Sequence, residues 1–377
     1  MIIEKKKILF VTSRMNVGGV EKALLGLLST IDFSQNDVTL GLIYKDGGLL
    51  GYVPKQVKIV EIDSYRKYWR LLNDTPYQIA VHYLKSFNIV ALSKYIRAYY
   101  LTKRQGNQIP LFKAILNNQK PDETAYDEAI SYSGPFHALD YYIINQVKAK
   151  KKIGWIHFDV SKFGINDSFV RTIYPQFDEI NLVSQQGKDV FDKRFPELAD
   201  KTKVVYNIID GNLILKQSEA DIEDMPMGEC DHIRIVTVGR ISEEKGQCDV
   251  LPYFKVALDN GLNAVWYFVG GGKEVKSVQQ KSSELGIADK VKIFGVKINP
   301  YPYMRHCDIY VQPSRHEGYC ITLAEAKLFR HPIITTPFTG AKEQLKNYEY
   351  SSLIIPLDLL PEKLIEYANN LGDYSDI

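Results

Sequence analysis

Cysteine is scarce in this chain: four residues in 377, at positions 230, 248, 307 and 320, with no paired spacing. That argues against a disulfide framework, a zinc ribbon or a redox pair, and it predicts reduced thiols. Long apolar runs are missing as well. The longest charge-free stretches are about a dozen residues, as from Gly261 to Gly272, well short of the roughly 18 apolar residues that span a bilayer. After Lys5, Lys6 and Lys7 the apolar run Ile8 to Val11 is too short for a signal-peptide core, so a cytoplasmic protein is expected. No Asp-x-Asp run is present, and His306, Cys307, Asp308 and His316 lack metal-ligand spacing. No metal is therefore expected. No strand is followed by a GxGxxG turn with an acid about twenty residues on, which argues against a dinucleotide oxidoreductase.

Acidic residues are nearly absent from one stretch. Between Tyr65 and Lys120 ten basic side chains (Arg66, Lys67, Arg70, Lys85, Lys94, Arg97, Lys103, Arg104, Lys113, Lys120) face a single acid, Asp74. The local charge is +9 against +2 for the whole chain, and ten aromatics are interleaved, among them Tyr68, Trp69, Tyr83, Phe87, Tyr95, Tyr99 and Tyr100. The plainest reading is a set of solvated helix faces. A basic, aromatic-rich helical segment also suits an anionic membrane surface or a nucleic acid.

At 377 residues, with hydrophobic residues at 45% and charged residues at 24%, the chain has the length and composition of two globular domains. Short β-branched runs alternate with helical patterns in both halves, the signature of parallel sheets with crossover helices. In the C-terminal half Ile233–Val238, Ala264–Val269, Val291–Phe294, Ile309–Val311, Ile333–Thr335 and Leu353–Ile355 read as strands. Helices are expected over Gln247–Asn260 and from about Lys273 to Leu285, with Gly261 and Gly286 where left-handed C-caps belong. The N-terminal half opens with a strand, Lys7–Thr12, a glycine turn at Gly18 and Gly19, and an apolar helix, Val20–Ser29. Further strands are expected at Val38–Ile43, Val57–Glu61, Glu128–Ser131, Lys152–His157, Glu179–Val183 and Lys203–Tyr206. The fold class is thus α/β with two Rossmann-like domains facing a central crevice. The polar stretch after Asn207 sets the boundary: 1–208 for the N-terminal domain, with the basic helical insertion over about 65–120, 209–360 for the C-terminal domain, and a helix over 361–377 returning towards the N-terminal domain.

Ligands of open α/β sheets bind at the carboxyl ends of the strands, so the loops there carry the candidates. Gly18 and Gly19 let backbone approach an anion near a helix start. Arg240 and Lys245 put a fork donor and a point charge on one loop, a combination suited to a diphosphate, although Glu243 and Glu244 could neutralise them. Glu317 and Glu325 lie eight residues apart across a loop and two helical turns. That span approaches about 12 Å, beyond the roughly 9.5 Å limit of a hydrolase pair, so the two acids must do different jobs.

GGVE at Gly18, VGRISEEKG from Val238, FVGGG from Phe268, IFGV from Ile293 and EGYCITLAEA from Glu317 stand in one order and spacing. Together they resemble the retaining family 4 glycosyltransferases of GT-B fold. WIHFD from Trp155 and VSQQGKDVFDKRFP from Val183 further resemble the members that build bacterial capsular and other surface polysaccharides. Position by position, the resemblance implies that Arg240 and Lys245 hold the nucleotide diphosphate with Tyr319 and Cys320, while Gly18 and Gly19 close on it. It implies Glu325 on the ribose, Phe294 and Val296 at the base, and Glu317 and His157 as the catalytic contacts to the donor sugar. Cys320 stands where the broader family more often has glycine or another small residue.

The resemblance implies transfer of a hexose from a nucleotide sugar, UDP first and GDP second, to a lipid-linked or oligosaccharide acceptor with retention at the anomeric carbon. It implies metal independence and a place on the inner face of the cell membrane, with the basic segment against anionic lipid and no nucleic-acid partner. The alternatives are a GT-B sugar-nucleotide epimerase or phosphorylase and, from another class, a nucleic-acid-binding protein using the 65–120 segment. The latter leaves EGYCITLAEA and GRISEEKG without a purpose.

Overall fold

The computed structural model describes residues 4–62, 74–116, 122–134, 137–162, 164–228, 230–348 and 350–371. Contacts divide the chain into two units, residues 1–183 with 187–206, and 184–186 with 207–377. The main division thus falls two residues before the expected 208.

In the first unit seven parallel strands, β1 (Lys6–Thr12), β2 (Asn36–Leu42), β3 (Lys58–Glu61), β4 (Asp122–Gly134), β5 (Val147–Ile156), β6 (Glu179–Leu182) and β7 (Thr202–Val204), pair in the order β3-β2-β1-β4-β5-β6-β7. The order reverses between β1 and β4, whose register sets Ile8 beside Glu128 and Val11 beside Ser131. β1 is buried on both faces from Ile8 to Thr12, as a central parallel strand must be. Its core gathers Leu9, Val11, Leu139, Ile143, Phe169, Phe177 and Phe191.

Between β3 and β4 the chain forms three helices, Pro76–Lys85, Ile89–Gln105 and Ile109–Leu116. The first opens on a capping box in which Thr75 and Gln78 exchange bonds, and the second closes on Gly106 at φ 68°. Ile79, Tyr95 and Phe112 are buried in the core of the unit, and Asn107 reaches Ser168 at 2.8 Å. The expected helical insertion is thus present over 76–116. Arg66, Lys67, Tyr68, Trp69, Arg70 and Lys120 lie outside the described residues.

The second unit holds β8 (Ile233–Val238), β9 (Ala264–Val269), β10 (Val291–Ile293), β11 (Ile309–Gln312), β12 (Ile333–Thr335) and β13 (Ser352–Ile354) in the order β10-β9-β8-β11-β12-β13, all parallel. Every residue of β9 is buried: Ala264, Trp266 and Phe268 join one core cluster, Val265, Tyr267 and Val269 the other. The helix expected over 361–377 runs Leu360–Asn369, and in place of the expected return towards the N-terminal domain it buries Leu360, Leu364 and Tyr367 in the first of these clusters of its own unit; residues 372–377 lie outside the described residues. The helix expected over Gln247–Asn260 is shorter, Leu251–Asp259, because the chain before it makes a single tight turn, Glu243–Lys245, closed by Gly246 at φ 69°.

Candidate functional site

The second sheet reverses its order between β8 and β11, so the loops following these two strands flank its switch point. After β8 the backbone of Gly239–Ile241 lies directly on Gly270–Gly272: the Ile241 N–H donates to Gly271 at 2.9 Å, and a Cβ on Gly270 would stand 1.8 Å from the Gly239 oxygen. That contact explains the FVGGG run as backbone stacking. Gln247, fully buried, donates its side-chain amide to the Arg240 carbonyl at 3.0 Å and accepts from the Ser242 N–H.

The second loop, after β11, is fastened to the first. Arg315 forks onto Asp249 at 2.6 and 2.7 Å and reaches Glu243 at 2.9 Å, and its backbone N–H donates to Glu244 at 2.8 Å. Gly246, at φ 69°, lies so close to the Pro313 oxygen that a Cβ would approach it to 2.2 Å. At the centre of this junction the Lys245 ammonium donates to the Glu317 carboxylate, to which the Ser314 hydroxyl also donates at 2.7 Å. Burial alone would push the Lys245 ammonium down; the Glu317 carboxylate outweighs it and holds the group above the ordinary lysine value.

Arg240 and Lys245 therefore sit on one loop with different commitments. Lys245 is paired to Glu317, whereas the exposed Arg240 side chain makes no hydrogen bond or ion pair with a described residue. Glu317 and Lys245, 72 residues apart in sequence, are brought together; Glu325 is kept apart from them. Glu325 is 1% exposed on the helix Ile321–Ala326 and accepts from the Tyr301 hydroxyl at 2.9 Å. Cys320 caps that helix at φ 61°, buried, with its thiol pushed up by burial and 3.4 Å from the Thr322 hydroxyl; Tyr319 before it is half-buried. The Phe294 ring packs between Tyr267 and Tyr303 at 5.5 and 5.3 Å between centroids. Lys297, held by Asp224 at 2.8 Å, lies over the same ring, while Val296 is 63% exposed.

The remaining candidates belong to the first unit. Gly18 is the extended N-cap of the helix Gly19–Ser29, so the turn there is not left-handed, and its missing side chain leaves room for the Glu21 carboxylate. His157 follows β5, buried, with its ring 4.6 Å from that of Tyr132 and stacked at 6.1 Å on Trp155. Neither ring nitrogen closes a hydrogen bond of ordinary geometry, and burial holds its pKa down at about 3 against a weak opposing backbone contact with Tyr132. A neutral imidazole can accept or donate one hydrogen bond there but holds no spare proton.

Sequence reasoning missed Gln247, Asp249, Gln312, Ser314 and Arg315. The signal was available as polar residues directly beyond strand ends, in GQCD and QPSR, but only the fold sets them against one another. None of the four cysteines is in a disulfide, and among the described residues no group of three His, Cys, Asp or Glu side chains could hold a metal ion.

Two doubly wound parallel-sheet units of these strand orders define a GT-B architecture. It is shared with Anabaena HepE, solved in complex with UDP, at a TM-score of 0.63 and 17% identity over 97% of this chain and 90% of that one. Residues 229–371 match the model of the family described as glycosyl transferases group 1, and the chain carries a glycosyltransferase group 1 domain. The capsular polysaccharide biosynthesis glycosyltransferase CapM of Staphylococcus aureus is 27% identical over 144 residues, 37% of this chain and 38% of that protein. An N-acetylgalactosamine-N,N'-diacetylbacillosaminyl-diphospho-undecaprenol 4-alpha-N-acetylgalactosaminyltransferase of Campylobacter jejuni is 25% identical over 191 residues, 50% of each chain. The chain spans half or less of the length of the curated relatives it matches.

Proposed function

We propose that this protein is a retaining hexosyltransferase that takes its sugar from a nucleotide donor, UDP-linked in first place, and passes it to a lipid-linked saccharide in surface polysaccharide synthesis. The observation that carries this reading is the pair of fastened loops at the β8/β11 switch point, with an exposed guanidinium at Arg240 and a carboxylate at Glu317 on one rigid junction. The names of the similar proteins, one capsular and one acting on a diphospho-undecaprenol saccharide, support the acceptor class.

In this reading the Arg240 fork takes the leaving diphosphate as it gains charge, and Lys245 keeps a positive field beside it while anchoring Glu317. Fixed cations on the loop supply what a metal would otherwise supply, so the reaction is metal-independent. Glu317 contacts donor-sugar hydroxyls as positive charge grows at the anomeric carbon. The unpartnered nitrogens of His157 give the sugar a neutral hydrogen-bonding group. Phe294 and Val296 border the base, Glu325 the ribose, and Gly18, Gly19, Tyr319 and Cys320 the phosphates. In this reading the acceptor attacks from the front face, without a carboxylate nucleophile, and the departing phosphate takes its proton.

The work is done at the inner face of the membrane. Tyr77, Ile89, Val90 and Tyr100 on the helices over 76–105, and Phe87 in the turn between them, are each more than 60% exposed, among exposed Lys85, Lys94, Arg97, Lys103 and Arg104. Apolar side chains for the headgroup boundary and cations for anionic lipid share one insertion.

The test is a calorimetric titration of UDP and of uridine into wild type, Arg240→Ala and Glu317→Gln. Arg240→Ala should weaken UDP by about 10- to 100-fold, as expected for a lost charge-assisted bond, and leave uridine unchanged. Glu317→Gln should keep UDP affinity and lose most sugar transfer. Equal weakening of UDP and uridine, or no binding of any nucleoside diphosphate by wild type, overturns the reading.

A further inference from the structure

Strand β11 ends in a line of buried polar groups that the proposed reaction does not use. Along Tyr310-Val311-Gln312-Pro313-Ser314 alternation sets Tyr310, Gln312 and Ser314 on one side of the chain, each no more than 1% exposed. Buried polar groups require partners, and here the partners form a line with one direction. The Tyr310 hydroxyl donates to Gln312 Oε1 at 2.8 Å, and the Thr322 hydroxyl donates to the same oxygen at 3.1 Å. With its carbonyl so occupied, Gln312 donates its amide nitrogen to Ser314 Oγ at 2.9 Å. An amide nitrogen accepts nothing, so the Ser314 hydrogen goes elsewhere: to Glu317 Oε1 at 2.7 Å. Lys245 donates to that same oxygen, whereas Oε2 makes no hydrogen bond with a described residue. The main chain under the line is pinned by Thr237 donating to the Val311 carbonyl at 2.6 Å and Thr335 to the Gln312 carbonyl at 2.9 Å.

We propose that Gln312 and Ser314 are positioning residues: they fix Glu317 by Oε1 so that Oε2 alone is offered to the donor sugar. The inference rests on the reading of Glu317 as a sugar contact. A carboxylate held by one oxygen on two donors has lost rotation about its terminal bond, and each further donor in the line polarises the next towards it. Tyr310 and Thr322 fix which way the Gln312 amide faces, and so which way the serine hydrogen points.

Two readouts separate positioning from plain packing. Glutamate labelled with 13C at the side-chain carboxyl identifies Glu317 as the resonance lost in Glu317→Gln. In Ser314→Ala that resonance should shift at a fixed neutral pH, because the carboxylate oxygen has lost a hydrogen-bond donor. Turnover of UDP-glucose, read as released UDP, should fall about tenfold or more in Ser314→Ala with UDP affinity unchanged, and Ser314→Ala should cost nothing further in the Glu317→Gln background. Tyr310→Phe, which keeps the ring and its packing, should move both readouts in the same sense by a smaller amount, and it serves if Ser314→Ala does not fold. An unmoved Glu317 resonance in a folded variant, or an equal loss of turnover in both backgrounds, overturns the proposal. A moved resonance with turnover insensitive to Glu317→Gln itself leaves the positioning intact and refutes the sugar contact instead.

Discussion

Gly246 shows how much one residue carries at this junction. It takes the left-handed conformation at φ 69° and gives the Pro313 carbonyl its approach, so that Lys245 and Glu317 meet on either side of it. A side chain there meets both a conformational penalty of about 1–2 kcal/mol and a backbone clash that no rotamer change relieves. Gly246→Ala should therefore lower the thermal midpoint by several degrees and weaken UDP binding together, measured by calorimetry on one preparation. A variant with wild-type midpoint and affinity would show that the two loops do not depend on this contact. Lys245 is a poorer probe than Arg240, because truncating this half-buried ammonium leaves the Glu317 carboxylate without its cation and mixes folding with binding.

The three helices over 76–116 form the element that is least like a plain Rossmann crossover. Their inner sides are ordinary: Ile79, Tyr95 and Phe112 enter the core, and Tyr95 stacks on Tyr99 at 6.3 Å. Their outer sides carry apolar and basic groups side by side, with Phe87 90% exposed at φ 53° in the turn between the first two helices. Attraction to an anionic leaflet is about 1 kcal/mol per basic residue near the surface, and it decays over a Debye length of about 8 Å at physiological salt. Wild type should co-sediment with phosphatidylserine-containing vesicles at low salt and release as salt rises. Reversing Arg97, Lys103 and Arg104 to glutamate should abolish binding at every salt concentration; retained binding would rule out this face.

The pH response of the whole molecule includes that of its first unit, where buried titratable groups of opposite sign act on stability together. Asp140 is fully buried and accepts from Ser131 at 2.7 Å and Tyr174 at 3.0 Å; burial pushes its carboxyl up to about 7, and the two hydroxyls only partly offset this. The unfolded chain releases that proton near pH 4, so Asp140 makes stability fall as pH rises from about 4 to 7. His157 and His137, held down at about 3 and 4 by burial, act in the opposite sense: stability is lost as pH falls below 6.5. Urea unfolding at pH 4.5 and 8 should show Asp140→Asn gaining on wild type by a few kcal/mol at the higher pH. His157→Phe should gain on wild type at the lower pH. Parallel pH profiles for variants and wild type would mean that neither group keeps its shifted state.

The alternation of β-branched runs and helical patterns determined two parallel-sheet units, and glycines after the helical patterns marked their ends: Gly261 and Gly286 take φ 96° and 69° where C-caps were expected. Order and spacing of the glycine and glutamate motifs singled out the loops that flank the switch point of the second sheet, since those signals are local. Strand β4 was legible only as Glu128–Ser131, because its start, DETAYDE, reads as a polar loop; pairing with β5 through a register shift draws Asp122–Gly134 into the sheet. The role of each charge was decided by tertiary structure alone. Lys245 faces Glu317 while Arg240 bonds to no described side chain, Glu325 is buried on Tyr301, and His157 is neutral. Ionic partners and burial depend on which loops the strand order brings together, and no spacing along the chain encodes a contact between residues 72 positions apart.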